Sequence, residues 1–291
     1  MHRPRVAYLA LAFAALLFGS TFVIIKEAIE TFPPLAFVGW RFLLGGAVLA
    51  VIGPPRGRAV WRDGLIAGGL LFAGYALQTV GLAHTSASNS GLITGLYVVL
   101  TPLLAAAVAR RVPGLLVSAG ALLAFAGLAL LTLQDGFSLQ RGDLLTVGCA
   151  VSYAGHIVYL SRVASLHRVV PFTAVQLLVT AAGGLAGSAV FEGLPSPPGN
   201  AWPALLMTGL AVSAGAFLLQ VWAQTVIGAS RTAIILALEP AIAAAVAAIA
   251  LGERLSGRGW AGAGLILIGI YVALAGKEEP LPTAEALTPA H

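Results

Sequence analysis

Ten apolar runs, each close to the length that crosses a bilayer, follow one another along this chain. They fall at about 7–25, 33–52, 64–83, 91–110, 114–133, 143–162, 171–190, 203–223, 230–251 and 259–276. A helix needs about 20 predominantly apolar residues to span the hydrocarbon core. The connectors between the runs are at most about twelve residues long, so no water-soluble domain fits between them.

Composition agrees. The chain is 59% hydrophobic and only 9% charged, whereas soluble domains carry about 25% charged residues. It cannot clothe a water-facing surface, and reads as an all-α integral membrane protein. The net charge of +5 does not point to nucleic acid, because the basic residues sit in short loops between apolar runs. There they set orientation. The single cysteine, Cys149, lies inside a run, which excludes an internal disulfide or a thiolate metal cluster; it reads as a small packing residue. The first run follows Arg3 and Arg5 but continues through Ile25 with no A-x-A cleavage site, so it reads as a retained helix rather than a signal peptide. The polar, proline-containing tail 277–291 is expected to be disordered and cytoplasmic.

Lys and Arg set the expected orientation. With the N-terminus in the cytoplasm, eleven of the sixteen fall inside, four outside, and Arg41 within the second run. An even number of spans then puts both termini inside.

The runs also echo one another. Pro102 in the fourth and Pro240 in the ninth each precede an alanine-rich stretch, and Gly120/Gly127 in the fifth match Gly262/Gly269 in the tenth. Pro34 and Pro171 open runs 2 and 7, and Lys26 and Arg162 close runs 1 and 6. The expectation is ten transmembrane helices in two five-helix repeats, residues 1–136 and 137–276. Five is odd, so the second repeat enters the membrane upside down. That is the inverted-repeat plan of secondary transporters, with the substrate near mid-bilayer where the repeats meet.

Polar residues at helical spacing suggest what lines the centre. Run 4 carries Ser90, Thr94, Tyr97 and Thr101 on one face; run 8 carries Ser213, Phe217, Gln220 and Gln224 at the same spacing. Run 3 offers Tyr75, Gln78 and Thr79, run 6 Ser152, Tyr153, His156 and Tyr159, run 1 Ser20 and Thr21, and run 9 Glu239. Runs 2, 5, 7 and 10 are poorer in polar residues and hold small-residue patterns such as Gly183-xxx-Gly187, suited to close packing. The runs richer in polar residues, 1, 3, 4, 6, 8 and 9, exchange under the repeat, which implies a central cavity. A single Ser or Thr reads as an interhelical hydrogen bond; the stripes together read as a lining. The residues assigned to substrate are Tyr75, Gln78, Thr94, Tyr97, Tyr153, His156, Phe217, Gln220 and Glu239. Rings stack on planar ligands and attract cations. A strongly anionic substrate would want several Arg or Lys, yet only Arg41 lies deep, on a run expected at the periphery. A neutral or zwitterionic, partly apolar solute fits better.

Glu239 opposes insertion by about 3 kcal/mol if charged at mid-membrane depth, so it needs a reason to be there. It reads as a structural group paired with Arg41 or bonding backbone left open by Pro240, as a proton carrier, or as a contact for a substrate ammonium. His156 reads as a buried histidine satisfied by a neighbour, and His84 as a solvated loop residue. Asn89 and Ser90 read as a helix cap, and Glu253 and Arg254 as an outer turn. Pro102 and Pro240 remove helix hydrogen bonds and are candidate hinges.

The Leu238-Glu239-Pro240 of run 9, the Gly252–Leu255 stretch (GERL) after it, and the glycine pairs of the last helix in each half together resemble the EamA family of the drug/metabolite transporter superfamily. The likeness covers residues 7–276. The first half departs from it, with ARRVPG where the second has LGERLSGRG, so the acidic turn residue is absent there. The resemblance implies an inner-membrane exporter of small metabolites working by alternating access, closest to bacterial aromatic amino acid exporters. No Walker motif, paired-aspartate metal motif, H-E-x-x-H or catalytic Ser/His/Asp set is present. The chain is therefore expected to be no enzyme and to use no cofactor, metal or direct ATP. Its expected partners are a small-molecule substrate and the lipid bilayer, with no nucleic acid, the protein acting as a monomer. A drug or cationic-solute exporter and a non-transporting scaffold are the competing readings.

Overall fold

The computed structural model describes residues 3–82, 84–85, 87–133, 140–251 and 256–276, and within them every regular element is helical. In chain order these are α1 (Arg3–Ser20), α2 (Phe22–Thr31), α3 (Pro34–Ile52), α4 (Arg58–Leu82), α5 (Ala87–Thr94), α6 (Tyr97–Val108) and α7 (Leu115–Thr132). The second half holds α8 (Asp143–Val163), α9 (Val169–Phe191), α10 (Trp202–Met207), a π-helical stretch (Thr208–Ala216), α11 (Phe217–Gln224), α12 (Ala229–Leu236), α13 (Leu238–Leu251) and α14 (Gly257–Ala275). Among the described residues, eight helices are long and apolar enough to cross a membrane, and α1 adds a shorter apolar helix. Large apolar side chains such as Leu9, Val51, Leu115, Phe191 and Tyr271 are exposed around the outside, as a lipid-facing surface requires.

Runs 1 and 9 are not continuous helices. Run 1 breaks at Thr21, whose hydroxyl donates back to the Leu17 and Phe18 carbonyls at 3.0 and 3.2 Å, while Ser20 donates to Leu17 at 3.3 Å. Hydroxyls that compete for helix carbonyls bend helices. Run 9 breaks at Ala237, whose N–H is shared between the Ala233 and Ile234 carbonyls at 3.2 and 3.3 Å. Pro240 stands in the first turn of α13 and has no N–H for the Leu236 carbonyl. Run 4 also divides, but upstream of its proline. A tightened turn at Gly95–Leu96, with three-residue bonds from Leu96, Val98 and Val99, separates α5 from α6, and α6 runs through Pro102.

Several expected boundaries move. Lys26 does not close run 1, because α2 continues to Thr31. Asn89 and Ser90 are not a cap; they lie inside α5, which begins at Ala87. Arg58 and Arg62 belong to the first turns of α4 rather than to a loop. Gly252–Leu255, with Glu253 and Arg254, and the tail 277–291 lie outside the described residues.

Small residues set the packing. α7 lies antiparallel against α14: a Cβ on Gly120 would lie 2.5 Å from the Gly269 carbonyl oxygen, and one on Gly127 2.6 Å from that of Gly262. α3 lies antiparallel against α9, where a Cβ on Gly184 would lie 2.8 Å from the Gly39 nitrogen. α4 packs on α8 and α9, α11 on α1, the π stretch on α3, α6 on α8, and α13 on α1. In lipid, such close backbone approach supplies van der Waals contact in place of a hydrophobic driving force.

Candidate functional site

Arg41 is the eighth residue of α3, near the middle of the span. It is not peripheral: it is 3% exposed and points at α4 and the π stretch. Its Nε donates to Ser213 Oγ at 3.3 Å and its Nη2 to the Tyr75 hydroxyl at 3.4 Å. The guanidinium carbon stands 4.9 Å from the Phe42 ring centroid and 5.4 Å from that of Tyr75. The π stretch brings Ser213 here: a Cβ on Gly45 would lie 2.6 Å from the Gly209 carbonyl oxygen, so α3 and the π stretch meet backbone to backbone.

Around Arg41 the rings join. Phe42 and Tyr75 meet edge to face with centroids 5.0 Å apart, Tyr75 and Tyr153 at 5.7 Å, and Phe18 and Phe217 at 5.2 Å. Phe42 and Phe217, 5.8 Å apart, link these pairs into one row running from Phe18 to Tyr153. These separations are those of attractive aromatic pairs. Tyr75 and Tyr153 are half-buried, so the cluster keeps accessible surface even where its rings touch. Below it, Tyr153 donates to Gln78 Oε1 at 3.3 Å, Gln78 Nε2 donates to Thr94 at 3.2 Å, and Thr94 meets Cys149 at 3.9 Å. Tyr75, Gln78, Thr94 and Tyr153, assigned from sequence spacing, are thus brought together, and Cys149 packs beside them.

Tyr97 and Glu239 are both half-buried, and Glu239 is within electrostatic reach of Arg41, Tyr75, Tyr97 and Tyr153. One of the open readings of Glu239 pairs it with Arg41, and no such ion pair is formed among the described residues; Arg41 bonds Ser213 and Tyr75 instead. Gly19 fixes the position of Glu239, since a Cβ there would lie 2.6 Å from the Glu239 carbonyl oxygen.

His156 Nε2 meets Gln176 Oε1 at 3.0 Å, and its ring lies 6.4 Å from Phe217. An amide oxygen only accepts, so Nε2 donates. Gln176, with Thr173 and Thr180, gives α9 a buried polar row, although run 7 read as poor in polar residues. Gln220 is drawn elsewhere: it donates to Gln224 Oε1 at 3.3 Å, and Gln224 donates to Ser161 Oγ and the Ile157 carbonyl at 2.6 and 2.7 Å, tying α11 to α8. Pro102 and Pro240 lie on α6 and α13, outside the ring cluster. Arg41, Phe42, Phe18 and Gln176 were missed. A guanidinium inside an apolar run carried a signal, because intramembrane charges face the bundle interior.

Two hollows lie away from this cluster. One of about 340 Å³ is lined by Arg62, Asp63, Tyr159 and Arg162 with Ile66, Val163 and Leu166; one of about 290 Å³ is lined by Leu100, Leu103, Leu104, Ala107, Val151 and Ala154. No group of His, Cys, Asp and Glu among the described residues is placed to hold a metal ion.

The sequence is similar to an uncharacterized transporter of Archaeoglobus fulgidus, 33% identical over 91% of this chain and 85% of the relative. It is also similar to the uncharacterized transporter YyaM of Bacillus subtilis, 24% identical over 91% of this chain and 92% of the relative. A crystal structure with 25% identity superposes with a TM-score of 0.81 over 92% of this chain and 96% of its own. The EamA-like transporter family matches residues 5–133 and 140–275, and together with the apolar helices this makes the chain a multi-pass membrane protein that belongs to the EamA-like transporter family.

Proposed function

We propose that this protein is a secondary transporter that exports small neutral or zwitterionic metabolites, amino acids including aromatic ones, by alternating access. The observation that carries the reading is the mid-span cluster of Tyr75, Tyr153 and Phe217 beside one guanidinium, Arg41, and one carboxylate, Glu239. Its helices come from both halves of the chain. Rings bind planar and apolar groups, and a single charge of each sign suits a solute with no net charge. Tyr97, Gln78, Thr94 and His156 complete the proposed lining, and Gln220, assigned to it by spacing, is bonded to Gln224 instead.

The proposed architecture is ten spans in two inverted units, residues 1–136 and 137–276, with runs 1, 4 and 9 crossing as broken helices. Three observations support it. The family matches twice, over segments close to these units. The packing pairs exchange between halves: α4 on α8 answers α11 on α1, α4 on α9 answers the π stretch on α3, and α6 on α8 answers α13 on α1. The self-paired helices, α3 with α9 and α7 with α14, run antiparallel, as units of opposite direction require. In this reading the protein sits in a bacterial inner membrane with both termini in the cytoplasm and works as a monomer without cofactor or metal.

A carboxylate beside ring faces also suits cationic solutes, which keeps a drug or organic-cation exporter as the second reading. Arg41 in the same cluster opposes a net positive charge.

The test is uptake into proteoliposomes of labelled Phe, Trp and Tyr within an amino acid panel, with and without a pH gradient. Saturable uptake, inhibited by related amino acids, is the expected result, and the gradient response reports proton coupling. Absence of uptake for every amino acid, in vesicles shown to hold folded protein, overturns the amino-acid reading in favour of the organic-cation one.

A further inference from the structure

Arg41 and Glu239 are opposite charges held in one cluster without touching. Arg41 is almost fully enclosed, yet the partners of its guanidinium are neutral: Ser213 and Tyr75, at the long distances of 3.3 and 3.4 Å. Among the described residues Nη1 has no hydrogen-bond partner, and it is not one of the fully enclosed polar atoms that lack one, so it keeps some accessible surface. Glu239, half-buried, makes no hydrogen bond or ion pair with any described residue and lies in the neighbourhood of Arg41, Tyr75, Tyr97 and Tyr153. Leaving a buried charge without a counter-charge in contact is costly. A bidentate acceptor such as a carboxylate is the group that a guanidinium fork matches best.

We infer that Arg41 is a specificity-determining residue whose free Nη1 edge receives the carboxylate of a zwitterionic α-amino acid, while Glu239 receives its ammonium. This rests on the amino-acid reading above and sharpens it, because both headgroup charges become required. The two protein charges are carried by different halves, α3 and α13, and form a fixed dipole across the cluster. A zwitterion headgroup carries the complementary pair of charges. A monocation meets Glu239 but is repelled by Arg41, and a monoanion meets Arg41 but is repelled by Glu239. The rings of Tyr75, Tyr153 and Phe217 stand beside this dipole and face the side chain of the solute.

The test is counterflow of labelled phenylalanine in proteoliposomes loaded with unlabelled phenylalanine. The competitors are phenylalanine itself, phenethylamine, which lacks the carboxylate, and 3-phenylpropionate, which lacks the ammonium. In the wild type each truncated analogue competes about tenfold or more weakly than phenylalanine, the scale set by one hydrogen bond to a charged group. R41Q is expected to erase the preference for phenylalanine over phenethylamine and to retain that over phenylpropionate; E239Q is expected to do the reverse. A role for Arg41 confined to holding Tyr75 and Ser213 would weaken all three ligands together and leave their ratios unchanged. Either analogue matching phenylalanine in the wild type overturns the assignment without any variant, even if R41Q does not fold. An unchanged ratio in folded R41Q overturns Arg41's role alone, while absent counterflow of phenylalanine and of every other amino acid in the panel in folded wild type overturns the amino-acid reading and the assignment with it.

Discussion

The backbones of Gly120 and Gly269 touch: a Cβ on Gly120 would lie 2.5 Å from the Gly269 carbonyl oxygen, and one on Gly269 would lie 2.6 Å from that of Gly120. The contact is reciprocal and repeats seven residues away at Gly127 and Gly262. α7 and α14 therefore approach at a distance that only glycine permits. G120V and G269V are expected to force the helices apart and cost about 1–3 kcal/mol each, the range of overpacking in a close-packed interior. Gly264, on the same helix with nothing within 4 Å of its Cβ position, is the control, and G264A should be neutral. Thermal unfolding in detergent distinguishes them; equal melting temperatures for G269V and G264A would remove the glycine contact as a determinant of packing.

At one end of the bundle, the Glu192 carboxylate just beyond α9 receives the Leu35 and Ala36 N–H groups at 2.9 and 2.8 Å. These donors open α3 and have no intrahelical partner. A carboxylate there satisfies two of them and meets the positive end of the helix dipole. E192A is expected to cost about 1–2 kcal/mol, as loss of a good helix cap does, and E192Q less, because the amide oxygen still accepts one bond. Melting temperatures that rank wild type, E192Q, E192A in descending order would support the cap, and a stability of E192A equal to wild type would refute it.

Elsewhere Asp63 gathers three donors: Arg62 Nε at 2.8 Å, His167 Nε2 at 2.7 Å and the Tyr159 hydroxyl at 3.1 Å. It joins the start of α4 to the end of α8 and to the link before α9. The Asp63 and His167 side chains are enclosed, while that of Arg62 is 71% exposed. D63A leaves the His167 and Tyr159 donors unmet and should cost about 1–3 kcal/mol, the penalty for stranding buried polar groups. R62A should stay close to wild type. Comparable losses in the two variants would place the stabilising contact on the exposed arginine and overturn this assignment.

Much of this was legible in the sequence because membrane length and glycine spacing are local signals. The apolar runs located the helices, and the glycine pairs marked the repeat and helices suited to close packing; that α7 and α14 are each other's partners comes from the structure. The stripes on runs 3, 4 and 6 brought Tyr75, Gln78, Thr94 and Tyr153 together, since a polar face at helical spacing must find polar company inside lipid. Arg41 was misplaced because α3 carries no polar stripe to orient it; its direction is set by Gly45 meeting the π stretch. That stretch is itself invisible to a period of 3.6, as is the break at Thr21, which depends on where hydroxyls bond. Gln220 was read by spacing as facing the centre, but its amide found Gln224 one turn along the same helix.

Pro102 and Pro240 occupy matching places in runs 4 and 9, yet the helices break at different distances from them. Ala237 interrupts run 9 three residues before Pro240, whereas the turn at Gly95–Leu96 precedes Pro102 by six to seven, and α6 continues through it. Pro240 stands in the first helical turn of α13 and has no N–H for the Leu236 carbonyl, so it keeps α12 from running on into α13. Pro102 stands mid-helix, where the missing bond leaves the Val98 carbonyl open and the adjacent Thr101 hydroxyl donates to Tyr97 at 2.6 Å. The two prolines are therefore not equivalent as hinges. P240A should straighten the α12–α13 junction beside Glu239 and lower the transport rate with a smaller change in apparent affinity. P102A should add a helix bond within α6, raise stability, and change the rate less. Counterflow rates and half-saturation values for both variants decide between them: equal rate losses would make the prolines one symmetric pair of hinges, and wild-type rates in both would show that neither bends during transport.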